Sequence, residues 1–252
     1  MKAFVKNYWK TLLFFAVVGF VGGYFSGLYS LESYPEEMKQ EMYAQGLTDT
    51  LLALATALQS AGYGLFLGAA GIWLGRKVGL WKDERHITKK PLLAALIISV
   101  VGGLALIVPD LLFFGRYEPA LLDMYAVKPT IPYLLATVTY GAVIEEIMLR
   151  LFMMSLVAFV LHLLFERKRD GLSVAVLVAA NVVSALFFAV GHLPANDVMF
   201  GLTPMIVIRC ILLNGVFGLA FGWLYRKFGL RYAMIAHGGC HVVSKLIWIL
   251  FI

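Results

Sequence analysis

The chain has 252 residues, of which 61% are hydrophobic and 14% are charged. Soluble domains carry about 25% charged residues, so this composition excludes a soluble globular protein and indicates an integral membrane protein. The net charge of +6 comes from basic loops between apolar runs, and no nucleic-acid-binding motif is present. The expected surroundings are therefore membrane lipid, and nucleic acid is not an expected partner.

Seven apolar runs are long enough to cross a bilayer, which takes about 20 residues. They cover residues 11–30, 48–74, 92–114, 131–165, 171–193, 205–225 and 232–252. We predict that all seven are helices, because a backbone exposed to lipid must satisfy its own hydrogen bonds. The expected fold is an all-α membrane bundle of about seven to eight transmembrane helices, in a single domain over residues 1–252. The acidic segment 31–46 is more simply a loop than an amphipathic helix on the outer surface.

Basic residues alternate between the loops and predict the topology. They cluster at residues 2–10, 76–90, 167–169 and 226–231, whereas the other loops are mainly acidic. By the positive-inside rule, the N-terminus is cytoplasmic and the C-terminus is outside. In a prokaryote the membrane would be the cell membrane. This alternation requires the run 131–165 to cross once, as one long, tilted or kinked helix.

Three ionisable residues, Glu145, Glu146 and Arg150, lie inside the fourth apolar run. Charged side chains at such depth are costly, so a chain that keeps three together is expected to use them. Glu146 and Arg150 are four residues apart on one helical face and can form a structural salt bridge. Glu145 points about 100° away and has no partner three or four residues from it, which makes it a candidate general base or acid.

Three histidines lie in the later apolar runs. His192 closes the fifth run in the sequence Phe188-Ala-Val-Gly-His192, where a following proline should stop the helix. His237 and His241 are four residues apart on the last helix, and the two glycines between them permit close approach of another helix. Each histidine alone could be a packing or interfacial residue. Together with the glutamates they indicate a site that could bind metal or donate hydrogen bonds to a substrate oxygen.

Other polar residues in the apolar runs are expected to have ordinary roles. Arg209 and Lys245 lie near the outer ends of their helices and could extend their charged groups to the interface. Cys210 and Cys240 are expected to be reduced packing residues, because the two cysteines have no motif spacing for metal or haem.

The motifs EExxxR at residues 145–150, FxxxH at 188–192 and HxxxH at 237–241 resemble those of one family. This is the CAAX protease and bacteriocin-processing family of intramembrane endopeptidases, also called the type II CAAX prenyl endopeptidase or Abi family. The resemblance covers residues 131–245, the expected protease core, whereas the helices of residues 1–115 carry no motif. The last family motif commonly ends in asparagine, and His241 takes that place here.

The resemblance implies a set of catalytic and supporting roles. Glu145 would activate the water that attacks the scissile carbonyl, and His192 would help to position or deprotonate that water. Glu146 and Arg150 would hold Glu145 and shape the site, with Phe188 as a further supporting residue.

The resemblance leaves two mechanisms open. In the first, no cofactor is needed, and His237, with His241 in the asparagine position, stabilises the oxyanion. In the second, a divalent metal such as zinc is held by Glu145, His192 and either His237 or His241, which would leave one position open for water.

The expected function is therefore hydrolysis of a membrane-associated peptide or a lipidated protein. Substrates of this family type include prenylated proteins, leader-bearing peptides and bacteriocin-like pheromones. One alternative is a non-proteolytic scaffold or bacteriocin-immunity protein on the same fold, since fold does not fix function. Another is a proton-coupled transporter, although its typical inverted repeat is missing from the sequence. The sequence does not predict an oligomeric state.

Overall fold

The structure is a computed structural model that describes residues 2–83 and 86–252, so Arg85 of the second basic cluster lies outside the described residues. Seven helices in it are long and apolar enough to cross a membrane. They are Ala3–Ser33, Asp49–Lys77, Lys89–Arg116, Ile131–Phe165, Val174–Phe200, Pro204–Phe228 and Leu230–Phe251. The described residues contain no strand, and the predicted all-α membrane bundle is confirmed.

The described part of the chain divides into twelve α-helices and a few tighter or wider helical segments. The α-helices are α1 (Lys2–Ser33), α2 (Glu36–Ala44), α3 (Asp49–Gly62), α4 (Gly68–Lys77), α5 (Lys89–Leu112), α6 (Pro119–Ala126), α7 (Ile131–Ala136), α8 (Ser155–Phe165), α9 (Val174–Gly191), α10 (Leu193–Phe200), α11 (Pro204–Phe228) and α12 (Leu230–Phe251). A π-helical segment, Tyr63–Leu67, joins α3 to α4, and a 3-10 turn, Phe114–Arg116, follows α5. Two π-helical segments, Thr137–Glu145 and Ile147–Met154, join α7 to α8.

Four of these helices begin at a serine or threonine whose side chain accepts a hydrogen bond from a backbone N–H three residues later. The capping residues of α3, α7, α9 and α11 are Thr48, Thr130, Ser173 and Thr203. Each cap satisfies an N–H that has no partner inside the helix and is worth about 1 kcal/mol. The sequence therefore fixes where four of the helices start.

Two predicted boundaries near the N-terminus are wrong. The first helix begins well before residue 11, because Lys6 and Lys10 lie within α1 rather than ahead of it. The segment predicted as a loop contains the helix α2, none of whose residues is buried. Pro35 precedes this helix, and Glu36 and Glu37 occupy its first turn, where negative charge is favourable.

The fifth span is interrupted at His192. Helix α9 ends at Gly191, as the proline predicted, but the chain resumes at once as α10. Pro194 lies in the first turn of α10, where a missing N–H costs nothing. His192 therefore lies at the junction of two helices.

The span Ile131–Phe165 is one long helix, as predicted, but its centre is wider than an α-helix. Its π-helical segments have hydrogen bonds that span five residues instead of four. At the start of the first segment, the hydroxyl groups of Thr137 and Thr139 donate to the carbonyl oxygens of Leu134 and Leu135 in the preceding turn. Such bonds to the preceding turn bend and loosen a helix.

The site-bearing segment Thr137–Glu145 packs against both the first and the last helix of the bundle. Helix α1 contacts this segment and also packs on α3, and α12 contacts it and also packs on α5. Helices α9 and α11 pack on each other and contact the following segment, Ile147–Met154. The buried side chains of Ile144, Ile147 and Leu151 join the central apolar cluster. The motif residues are thus enclosed by helices from both halves of the chain.

Helices α5 and α12 approach each other very closely, as the glycines between the two histidines predicted. A Cβ on Gly239 would overlap the Ser99 side chain, and one on Gly103 would lie 2.5 Å from Val243. Small residues at a contact let two membrane helices approach until their backbones pack. The position of α12, and of its histidines, therefore depends on these glycines.

Replacing Gly239 with valine should destabilise the protein, because the added side chain would overlap Ser99 and push α12 away from α5. Overpacking of this kind costs roughly 1–3 kcal/mol. We expect Gly239→Val to unfold at a lower temperature than wild type in detergent, measured by tryptophan fluorescence. The control is Gly62→Ala, since a Cβ there meets only the ring of Phe66 at 3.9 Å. An unchanged Tm in Gly239→Val would contradict this packing.

Candidate active site

A cavity of about 490 Å³ lies inside the helical bundle, and the predicted site residues line it. Its wall includes Glu145, His192, His237 and His241, with Phe188 beside them. Its size is within the range of small-ligand sites. The structure therefore brings together residues that lie up to 96 positions apart in the sequence, from Glu145 to His241.

Glu145 faces two imidazole rings across this cavity. Its Oε2 atom lies 3.9 Å from Nε2 of His192 and 3.9 Å from Nε2 of His237. Its side chain keeps 20% of its surface exposed, so it is open to the cavity. Both distances are too long for direct hydrogen bonds and suit groups that share a bridging water.

The tautomer of His192 follows from its backbone contact. Its Nδ1 atom lies 2.7 Å from the carbonyl oxygen of Phe188, one turn earlier. A carbonyl oxygen only accepts, so Nδ1 carries the hydrogen and, in the neutral ring, Nε2 is an acceptor. The Phe188 ring also packs edge-on against the imidazole. His192 thus presents a lone pair towards Glu145.

His237 is oriented by Glu146. Its Nδ1 atom lies 2.9 Å from Oε1 of Glu146, whose side chain is completely buried. The carboxylate accepts the Nδ1 hydrogen, which leaves Nε2 facing Glu145. The ring of Phe221 stacks on the imidazole with a centroid distance of 4.8 Å. Glu146 was expected to hold Glu145, but its carboxylate contacts His237 and Arg150 instead.

Arg150 lies behind the cavity wall and forms the predicted ion pair. Its Nη1 atom lies 3.1 Å from Oε1 of Glu146, and both side chains are fully buried. Its Nη2 atom donates to the carbonyl oxygen of Gly218 at 3.2 Å. The guanidinium group also lies over the ring of Phe188, 4.3 Å from its centroid. The ion pair is therefore part of the support of the site as well as of the helix packing.

His241 lies next to His237, with ring centroids 5.1 Å apart, but has the opposite hydrogen-bonding character. Its Nδ1 atom lies 3.4 Å from Nζ of Lys245. With Lys245 protonated, its ammonium group only donates, so Nδ1 accepts and Nε2 carries the hydrogen. A Cβ on Gly141 would lie 3.5 Å from this Nε2. The glycine thus leaves the donor accessible, one turn before Glu145.

The two cations that were predicted to reach the interface do not do so. Lys245 is only 7% exposed, and its Nζ donates to the hydroxyl of Tyr133 at 3.0 Å. Arg209 forms two bonds of 2.5 Å with Asp110, a fully buried residue that also accepts from Tyr125. Asp110 was missed in the sequence, although a single carboxylate in an apolar run was a signal that a cation elsewhere must neutralise it.

The metal-binding alternative has no support in the geometry. The described residues include no group of three or more His, Cys, Asp and Glu side chains that could hold a metal ion. Two ligands of a tetrahedral zinc ion lie about 3.3 Å apart, given metal–ligand bonds of about 2.0 Å. Glu145 lies 3.9 Å from both imidazole Nε2 atoms. As arranged, these side chains do not fit a metal ion. The two cysteines are free and buried, as expected of packing residues.

The protein is thus a multi-pass helical bundle with a carboxylate and histidines around an internal cavity. Residues 127–243 match the family model described as Type II CAAX prenyl endopeptidase Rce1-like, so this part of the chain is similar to the CAAX proteases. The matched residues include the three motifs. No curated protein and no solved structure matches the chain. The family supports an endopeptidase in the membrane.

Replacing Arg150 with methionine should destabilise the protein strongly, because Glu146 would remain as a buried charge without its cation. Breaking a buried pair costs about 3–5 kcal/mol. The double variant Arg150→Met/Glu146→Gln removes both charges and keeps an acceptor for His237, so it should recover much of the Tm in detergent. A double variant no more stable than Arg150→Met would contradict this interpretation. Lys39→Met, which removes the surface partner of Glu36, is the control and should change the Tm little.

Proposed function

We propose that this protein is an intramembrane endopeptidase that hydrolyses a membrane-associated peptide or a prenylated CAAX-type protein with water activated at Glu145. The observation that supports this proposal most is the carboxylate of Glu145 facing the Nε2 atoms of His192 and His237 inside a membrane bundle. The family match supports endopeptidase activity in general terms. The residue roles below follow from the contacts in the site.

The first step would be activation of water between Glu145 and the two imidazoles. A water molecule there donates one hydrogen bond to the carboxylate and another to Nε2 of His192 or His237. Glu145 takes the first proton as general base, and the water oxygen forms a bond to the scissile carbonyl carbon. His192 is suited to orient the water, because its Nδ1 hydrogen is held by the Phe188 carbonyl.

His241 is better suited than His237 to stabilise the oxyanion. The Nδ1 hydrogen of His237 is donated to Glu146, so its Nε2 is an acceptor in the neutral ring and would help to orient the water. His241 would direct an Nε2 hydrogen into the space beside Gly141. A fixed donor aimed at developing negative charge is worth about 2.7–4 kcal/mol in the transition state. The imidazole would thus replace the amide that the family commonly has there.

The second step would be release of the amine. Glu145 passes its proton to the leaving nitrogen and the C–N bond breaks. The products are a carboxylic acid, which keeps the second proton of the water and ionises to solvent after release, and a shorter peptide with a free amine. Glu146 and Arg150 do not touch the reacting atoms in this scheme. They act as positioning residues, because their contact holds the ring of His237 in place.

The cavity would receive a substrate that is itself held by the membrane. Its wall includes Ser26 and Tyr29 of α1 as well as the motif residues, so the N-terminal helices would form one functional domain with the protease core. Prenylated proteins, leader-bearing peptides and bacteriocin-like peptides all fit this description. A lipid anchor would keep their scissile bonds near the bilayer.

Glu145→Gln should abolish cleavage, because an amide cannot take a proton from water. The rate on a fluorogenic prenylated CAAX peptide in detergent should fall by about 10²–10⁴-fold. The control is Glu37→Gln, which changes an exposed glutamate of α2 and should leave the rate intact. Equal rates for Glu145→Gln and wild type would refute the assignment of the base.

The same assay distinguishes the competing functions. Folded wild type that cleaves neither this peptide nor a leader-bearing peptide would favour a scaffold or immunity role. Cleavage that is lost with a strong chelator and restored by zinc would establish the metal-dependent mechanism instead.

His241→Asn should retain much more activity than His241→Leu, because asparagine keeps an N–H donor near the oxyanion and leucine does not. Loss of one such donor lowers kcat by about 10²–10³-fold. The measurement is kcat for the same peptide, with circular dichroism and Tm as controls for folding. Equal losses in the two variants would argue against a donor role for His241.

A further inference from the structure

A second polar group lies in the same cavity, two turns along α12 from His237. Lys245 lines the cavity and is almost completely buried. Its Nζ donates to the Tyr133 hydroxyl at 3.0 Å and lies 3.4 Å from Nδ1 of His241. An ammonium has three N–H donors, so one remains for a ligand. The Tyr133 hydroxyl hydrogen also has no acceptor recorded among the described residues.

The charge of Lys245 has no counter-ion in the part of the chain that the structure describes. No carboxylate of the described residues lies within 4.0 Å of its Nζ. Arg209, the other cationic residue of the cavity wall apart from the histidines, is neutralised by Asp110. A buried charge is stable only when it is paired and hydrogen-bonded. Lys245 is therefore suited to bind an anion that enters the cavity.

The position of Lys245 sets a distance from the water site. The centres of the His237 and His241 rings are 5.1 Å apart, and Nζ lies 3.4 Å from Nδ1 of His241, so Nζ is at most about 10 Å from the centre of the His237 ring. His237 is the ring that faces Glu145. An extended peptide advances about 3.3 Å per residue, so this distance corresponds to about three residues. The anion would lie that far along the substrate from the scissile bond.

We propose that Lys245 and Tyr133 bind the free C-terminal carboxylate of the peptide substrate. The inference rests on the proposed function and adds the recognition of the chain end. One carboxylate oxygen accepts from Nζ and the other from the tyrosine hydroxyl. The carboxylate of Glu145 would repel the chain end, which favours its placement at Lys245. Lys245, unlike Tyr133, lies outside the matched residues 127–243.

The test compares two prenylated peptides that differ only at the C-terminus, one with a free carboxylate and one with a carboxamide. Wild type should cleave the carboxylate form with a higher kcat/KM by about 10–100-fold, mostly through KM, because a charge-assisted hydrogen bond is lost in the amide. Equal kcat/KM values for the two peptides would overturn the inference and leave the proposed protease intact. Failure of folded wild type to cleave either peptide would remove the proposed function, and this inference with it.

The variants then assign the preference to one side chain. Lys245→Met should bring the carboxylate-to-amide ratio close to one, and Lys245→Arg should keep part of the preference. Lys128→Met is the matched control, because this exposed lysine contacts only carbonyl groups at the end of α12, and it should keep the wild-type ratio. If Lys245→Met lowers both rates equally and preserves the ratio, the lysine acts only on His241 and the inference fails. The wild-type comparison decides the matter even if Lys245→Met does not fold.

Discussion

The buried carboxylate of Glu146 is the group on which the rest of the site depends. Its Oε1 atom lies within 3.1 Å of both Arg150 and the imidazole of His237. Arg150 in turn binds the Gly218 carbonyl and lies over the ring of Phe188. One carboxylate therefore connects the central helix with α9, α11 and α12. Such a charge cannot persist in a membrane interior without these partners, so the packing of the bundle and the orientation of the histidine have the same cause.

The two histidines of α12 show how residues of the same type, one turn apart, acquire opposite hydrogen-bonding roles at Nε2. His237 has a carboxylate at Nδ1 and His241 has an ammonium there, so one ring presents an acceptor and the other a donor at Nε2. Their four-residue spacing places both rings on one side of the helix. An attacking water needs a hydrogen-bond acceptor, and a developing oxyanion needs a hydrogen-bond donor close to it. The helix supplies both because the contacts behind each ring differ.

Much of the fold follows from the sequence, because span length and apolar composition are local properties. The pairing of Glu146 with Arg150 was also predictable, since four-residue spacing puts both on one face. Contacts between helices were not predictable from the sequence. Asp110 and Arg209 are 99 positions apart, so nothing local indicated their pairing. Lys245 was misassigned because closeness to a helix end suggests the interface, whereas a cavity beside α12 made burial possible. The hydrogen bond from His237 to Glu146 likewise depends on how helices pack.

The widened helix around Glu145 has a consequence for how sequences of this kind diverge. Deleting one residue of α7, before the widened part begins, would turn the carboxylate by about 100° and aim it at lipid or packed side chains. Such a deletion would leave the hydropathy of the span almost unchanged. Substitution among apolar residues alters hydropathy more and affects chemistry less. Loss of activity during divergence would therefore be visible in the number of residues between the start of this span and the glutamate. A hydropathy profile would not reveal it.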